Sequence, residues 1–148
     1  MSVRPAKIRS EKPSLTVDAA TSARLALIRQ KDTNAERAVR RLLHDLGLRF
    51  RVRNRDLPGA PDVANRSRRW ALFIHGCFWH SHAGCYRATV PKRNRAFWVE
   101  KFMANRARDA RVLRAVRRRG YRAMVVWECE IDQIQRLRRR LARLVDPS

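Results

Sequence analysis

Trp70-Ala71-Leu72-Phe73-Ile74-His75-Gly76-Cys77-Phe78-Trp79-His80-Ser81-His82-Ala83-Gly84-Cys85 passes from a short apolar run straight into a loop crowded with metal-binding side chains. Trp70 to Ile74 has the length and composition of a strand. The eleven residues from His75 to Cys85 hold three of the chain's four histidines and two of its three cysteines. Cys77, His82 and Cys85 have Cys-x4-His-x2-Cys spacing, and Cys129 can supply the fourth corner of a tetrahedral Cys3His site. Four protein ligands close such a site, so a zinc ion there is expected to be structural, holding a loop that has little else to hold it. A plainer reading makes Cys129 a small buried apolar residue and the others part of a polar loop. His82 is the favoured imidazole, with His80 as the alternative.

Working outward, Thr33-Asn34-Ala35-Glu36 opens a helix. Thr33 can cap its N-terminus and Glu36 can close a capping box, with Val39, Leu42, Leu43 and Leu46 on one face. Gly47 stops it. Arg49-Phe50-Arg51-Val52-Arg53 alternates with the period of a half-buried strand, and Leu57-Pro58-Gly59-Ala60-Pro61 is a turn. A further short strand is expected around Asp62 to Ala64. A helix runs from Ala96 to Arg119 with Phe102, Val112, Leu113 and Val116 inward, and Gly120 ends it. Ala123-Met124-Val125-Val126-Trp127 reads as a strand buried on both faces, and Ile131, Ile134, Leu137 and Leu141 mark a last helix. The order α, β, β, β, α, β, α gives an α/β fold, a mixed central sheet flanked by helices, in a single domain over 18–148. Residues 1–17, with Arg4, Lys7, Arg9 and Lys12 and little apolar pattern, are expected to form a flexible basic arm.

The 148 residues suffice for one core, and their formal charge is +22, from 35 basic against 13 acidic residues. So large a surplus points to nucleic acid as partner. Thirty of the basic residues are arginines, which suit phosphate forks and stacking. An odd number of cysteines argues against a disulfide framework and for a reducing compartment. With no apolar leader and no run near the ~20 residues of a membrane span, a cytosolic protein is expected.

Hydrolysis of a phosphodiester needs a carboxylate to hold a divalent cation against the phosphate and a group to activate water. Asp62, following Pro61 at the head of a strand, suits the first task, although a turn aspartate would look the same. Glu36 is explained by capping alone. His75 and His80 are candidates for a general base or a phosphate contact, and His44 reads as a surface residue. Phe78-Trp79 and Phe97-Trp98 flank the basic stretch Lys92-Arg93-Asn94-Arg95, as aromatics that stack on or wedge between bases would; each taken alone is more often a core residue.

Lys31-Asp32-Thr33 with Glu36, Leu57-Pro58-Gly59, Pro61-Asp62, His75-Gly76-Cys77-Phe78-Trp79-His80, Phe97-Trp98 and Val126-Trp127-Glu128-Cys129 come in the order of the motifs of the very-short-patch mismatch-repair (Vsr) endonuclease family, which the chain resembles from about Ala20 to Leu144. The resemblance implies a restriction-endonuclease-like fold. It also implies magnesium-dependent nicking of double-stranded DNA 5′ to the thymine of a T:G mismatch left by deamination of 5-methylcytosine. It makes Asp62 the magnesium carboxylate, with the backbone carbonyl of Ile74 as a second contact, Glu36 a supporting acid, His80 the base that activates water, and His75 a phosphate or water contact. Cys77, His82, Cys85 and Cys129 would hold zinc, and Phe78, Trp79 and Trp98 would wedge beside the mismatch. Asn105 and Asp109 match further polar positions, Asn105 on the DNA side. A monomer acting in the bacterial cytoplasm is implied, with mismatch-repair proteins as further partners. Two features depart from the pattern: Ile74 stands where a threonine is usual, and Ala83-Gly84 carries one extra residue. A non-catalytic zinc nucleic-acid-binding module and a nicking endonuclease of a restriction-modification system are the competing expectations.

Overall fold

The computed structural model describes residues 33–145; the expected basic arm and the Lys31-Asp32 part of the first motif lie outside them. The elements in order are α1 (Asn34–Asp45), β1 (Val63–Asn65), β2 (Trp70–His75), α2 (Arg95–Arg118), β3 (Arg122–Trp127), a 3-10 turn (Glu128–Gln133) and α3 (Ile134–Val145). β2 is central: it pairs antiparallel with β1, Ala64 opposite Ala71, and parallel with β3, Ile74 opposite Val126. Antiparallel neighbours need the short turn at 66–69, whereas the parallel pair needs a crossover, and α2 supplies it.

Alternation along the strands divides the core in two. Val63, Trp70, Leu72 and Val126 face Val39, Leu42 and Leu43 of α1 and Leu137 and Leu141 of α3. Ala64, Ala71 and Phe73 face Leu57 and Val116, with Val112 and Leu113 of α2 packed alongside. Each fully buried branched or aromatic side chain contributes roughly 1.5–3 kcal/mol, so these two layers fix the sheet between its helices.

α1 begins as its sequence dictates, with the Thr33 side chain accepting from the backbone N–H of Glu36 at 3.2 Å. It ends at Gly47, whose φ of +70° takes the chain through the left-handed region while Leu48 N–H bonds back to the Leu43 carbonyl.

Three expectations need correction. The strand over Arg49–Arg53 reduces to a single bridge, Arg51 with Ala64, bonded in both directions at 2.8 and 3.1 Å. Arg53 has φ +59°, so the extended chain cannot continue; the described order is α, β, β, α, β, α. Ala123–Trp127 is not buried on both faces. It lies at the sheet edge, where Val126 alone of β3 is fully buried, and the fully covered strand is β2. Ile131 falls in the 3-10 turn, and α3 starts at Ile134.

The loop before β1 is tied down by a buried polar residue. Asn54, fully buried, donates to the carbonyls of Arg51 (2.8 Å) and Pro61 (3.1 Å) and accepts from Arg66 at 3.0 Å. Gly59 presses on α2: a Cβ there would stand 2.2 Å from Val112 Cγ1, and its φ of +69° already favours glycine. Asp62, immediately downstream, is therefore delivered at a fixed height.

Candidate active site and metal centre

Asp62 sits where β1 begins, its backbone N–H bonded to the Leu72 carbonyl at 3.0 Å, and its Oδ2 accepts from the backbone N–H of Ile74 at 2.6 Å. The carboxylate thus lies across the C-terminal end of β2, beside the Ile74 peptide. Burial pushes its pKa up to about 6, and the neighbouring Glu36 carboxylate pushes the same way against the Ile74 bond. Such a group is poorly solvated as an anion and would be relieved by a cation.

His75 ends β2 and is 7% exposed, with Nδ1 unpartnered among the described residues. Burial first, then the adjacent His80, lowers its pKa to about 4, so it is neutral at pH 7. The two imidazoles stack, centroids 3.8 Å apart and planes 5° from parallel. His80 Nδ1 lies 2.6 Å from Asp109 Oδ2, which α2 presents from the other side. His75, His80 and Asp109 cluster closely enough to suggest a metal site. An imidazole ligand, however, holds its metal in the ring plane, and two parallel planes cannot share one ion. The arrangement is a hydrogen-bonded His–Asp pair backed by a stacked neutral ring.

Two adjoining clefts, of about 540 and 430 Å³, open around these groups, and Glu36, Ile74, His80 and Arg108 line both. Glu36 is thus a cleft residue as well as a member of the first turn of α1. Its backbone N–H meets the Thr33 cap, and its side chain is left to the clefts.

The aromatic residues form one cluster above the larger cleft. Phe78 meets Trp79, Trp98 and Phe102 edge-on at 5.2, 5.6 and 5.3 Å, and Lys101 Nζ stands 5.8 Å over Trp79. Asn105 Nδ2 donates to the Trp79 carbonyl at 3.0 Å and so holds the loop that carries it. Phe78 and Trp79 are half-buried and line the cleft. Trp98 differs from its expected part as a wedge: at 3% exposed it is the floor of the cluster and presents no ring face outward.

Beyond the ledge, Cys77, His82, Cys85 and Cys129 bring one ligand atom each within 4.8 Å of one another, an arrangement that could hold a metal ion. Cys129 Sγ and His82 Nδ1 are 3.5 Å apart. His82 also stacks on Trp127 at 4.1 Å, and burial drives the Cys77 thiol up to about 12. His80 and His82, which spacing left as alternatives, point to different places: His80 to Asp109, His82 to the sulfurs. Ser81, at φ +48°, takes the turn between them, and Gly84, at +69°, takes a second left-handed turn just before Cys85. Arg87 pins the loop to the 3-10 turn through Asp132 at 2.8 Å.

Arg108, Lys101 and Glu128 line the clefts although nothing in the sequence pointed to them. In a chain with thirty arginines nothing marks Arg108 out; its place in both clefts does.

A family profile described as DNA mismatch endonuclease Vsr matches residues 16–87. The type II nicking enzyme V.XorIIP of Xanthomonas oryzae pv. oryzae is 49% identical over 121 residues, covering 82% of this chain and 88% of that one. DNA mismatch endonuclease Vsr of Escherichia coli K12 is 39% identical over 119 residues, covering 80% and 76%. The type II nicking enzyme V.NmeAIP of Neisseria meningitidis is 38% identical over 118 residues, covering 80% and 84%. Residues that could hold metal beside a His–Asp pair, in a strongly basic chain with these relatives, are those of a DNA endonuclease, a hydrolase, and the chain belongs to the Vsr family.

Proposed function

We propose that this protein nicks one strand of duplex DNA 5′ to the thymine of a T:G mismatch, by magnesium-dependent phosphodiester hydrolysis, on a restriction-endonuclease-like scaffold. The observation that carries the reading is the meeting of Asp62, the Ile74 peptide and the His80–Asp109 pair in the smaller cleft, next to the larger cleft that Phe78 and Trp79 line. Asp62 and the Ile74 carbonyl are hard oxygen donors, suited to magnesium, and a carboxylate whose pKa burial raises to about 6 gains from a cation beside it. Bound there, the ion would supply charge neutralisation at the phosphate. Asp109 orients His80 so that its other ring nitrogen takes a proton from water, and neutral His75 keeps that ring in place. Glu36 supports the cation side.

Arg108 makes no ion pair or hydrogen bond among the described residues and lines both clefts. A guanidinium so placed suits the non-bridging oxygens of the scissile phosphate. Phe78 and Trp79 wedge into the stack beside the mismatch, Trp98 supports them from below, and Asn105 fixes Trp79.

The four-residue cluster is proposed to hold structural zinc. A tetrahedron with zinc–sulfur bonds near 2.3 Å and a zinc–nitrogen bond near 2.0 Å has edges of about 3.5–3.8 Å. The Cys129–His82 separation of 3.5 Å is such an edge.

A nicking enzyme with a different recognition sequence, tied to a restriction-modification system, is the second reading, favoured by the type II nicking enzymes among the relatives. Nicking assays over all mismatches in varied flanks, with magnesium, test both. Cutting at T:G supports the first, preference for another paired or mispaired site supports the second, and binding with no cutting of any duplex removes both.

A further inference from the structure

The arginines are not concentrated at the clefts. Arg68 and Arg69 in the β1–β2 turn meet Arg117, Arg118 and Arg119 at the end of α2 and Arg122 at the start of β3. Arg69 Nη1 donates to the Arg119 carbonyl at 3.4 Å, Arg122 Nη2 to the Arg68 carbonyl at 3.4 Å, and Arg119 Nη1 to the Asp56 carbonyl at 3.0 Å. Five of these six are exposed and Arg122 is half-buried. Asp56 meets this group through its backbone carbonyl, while its carboxylate pairs with Arg66. In contrast, Glu36, Asp62, Asp109 and Glu128 line the clefts.

The cluster occupies the opposite end of the sheet from the site. Trp70 and Arg122 start β2 and β3, whereas His75 and Trp127 end them beside the clefts. A six-residue strand at ~3.3 Å per residue separates the ends by about 17 Å. A duplex that lies across the cleft end of the strands, rather than along them, does not reach it. Guanidinium bonds to backbone carbonyls pre-order four of the six, Arg69, Arg117, Arg119 and Arg122, while Arg68 and Arg118 make none among the described residues, and each arginine keeps donors for an outside acceptor. Charge at the end of α2 is also favoured by the helix dipole, but that effect saturates within the last turn and does not call for Arg68, Arg69 or Arg122.

We propose that this arginine pole binds a second segment of duplex DNA, through its phosphates and without reading sequence, so that one protein molecule bridges two duplexes. The proposal takes from the proposed function only that a first duplex occupies the clefts.

The test uses the full chain without magnesium. A biotinylated T:G duplex on beads is saturated with protein and washed, and a labelled, fully paired duplex is added. Retention of the second duplex, falling steeply between 50 and 200 mM salt as counterion release requires, is the expected result. The triple variant Arg68→Gln/Arg69→Gln/Arg118→Gln should lower retention at least tenfold while nicking of a short mismatched duplex stays within twofold. A control triple, Arg138→Gln/Arg139→Gln/Arg143→Gln, removes equal charge from α3 and should retain the label. No second duplex held by the wild type, or equal loss in both triples, overturns the proposal. Should the first triple melt early, Arg68→Gln/Arg118→Gln, whose side chains make no bond among the described residues, gives the same reading. Bridging is read without cleavage, so failure to nick T:G leaves this measurement intact.

Discussion

Asp109 Oδ2 lies 2.6 Å from Nδ1 of His80, across the gap between α2 and the loop that follows β2. The carboxylate fixes the tautomer: with Nδ1–H donated to Asp109, Nε2 carries the lone pair. Asp109→Asn is expected to cut the single-turnover nicking rate by about 10²-fold or more, with DNA affinity little changed. His80→Ala should cost at least as much, and the double variant no more than the worse single one. Additive losses would show that the two residues act separately.

Asp62 makes an opposite demand on stability. Its carboxyl ionises near 3.8 in the unfolded chain and near 6 in the folded one, so the folded state holds the proton more tightly. Ionisation therefore weighs against the metal-free fold as pH rises from about 4 to 6, fully so above 6, by at most about 3 kcal/mol. Asp62→Asn, which keeps an oxygen for the Ile74 N–H, should abolish nicking yet raise the melting temperature of metal-free protein at pH 8 by several degrees, with no rise at pH 4. A lower melting temperature at pH 8 would make Asp62 a structural hydrogen-bonding residue first.

The guanidinium of Arg108 is assigned to the reacting phosphate. Arg108→Ala should lower the nicking rate by about 10²–10³ while changing the affinity for a mismatched duplex no more than threefold, and Arg108→Lys should recover part of the rate. Equal loss of rate and affinity would reduce it to general electrostatic attraction.

The metal centre gives a direct test of the two neighbouring histidines. Metal analysis of wild-type protein should find about one zinc per chain. His82→Ala and Cys129→Ser should lose it, and with it hydrogen-exchange protection over residues 77–88, whereas His80→Ala should keep it and lose nicking. Zinc retained in His82→Ala sinks the assignment.

Trp79 and Trp98 are adjacent rings with different exposure. Trp98→Ala empties a buried position and should destabilise by about 3–5 kcal/mol. Trp79→Ala should leave the melting temperature nearly unchanged and reduce discrimination between T:G and paired duplexes. The reverse pattern would exchange their roles.

The local chemistry was legible in the chain itself. Thr33 capping α1, Gly47 and Gly120 ending α1 and α2, the apolar run of β2 and the ligand-rich loop after it each depend on neighbours a few residues away, where propensity and spacing act. The ordered motifs, from Pro61-Asp62 through HGCFWH to VWEC, were equally legible and carried the family. What the sequence could not settle was which side chains converge. His80 and His82 are two residues apart and chemically identical. They part because Ser81 turns through φ +48° and because α2 and the 3-10 turn after β3 place a carboxylate and a thiol on opposite sides. The strand pattern of Arg49–Arg53 lost to the left-handed turn at Arg53, Trp98 went under the aromatic ledge, and Arg108 entered the clefts, all through contacts between segments far apart in the chain. Composition determined that this protein meets a polyanion; the tertiary packing of α2 against β2 decided which of its many cations and carboxylates can meet one phosphate.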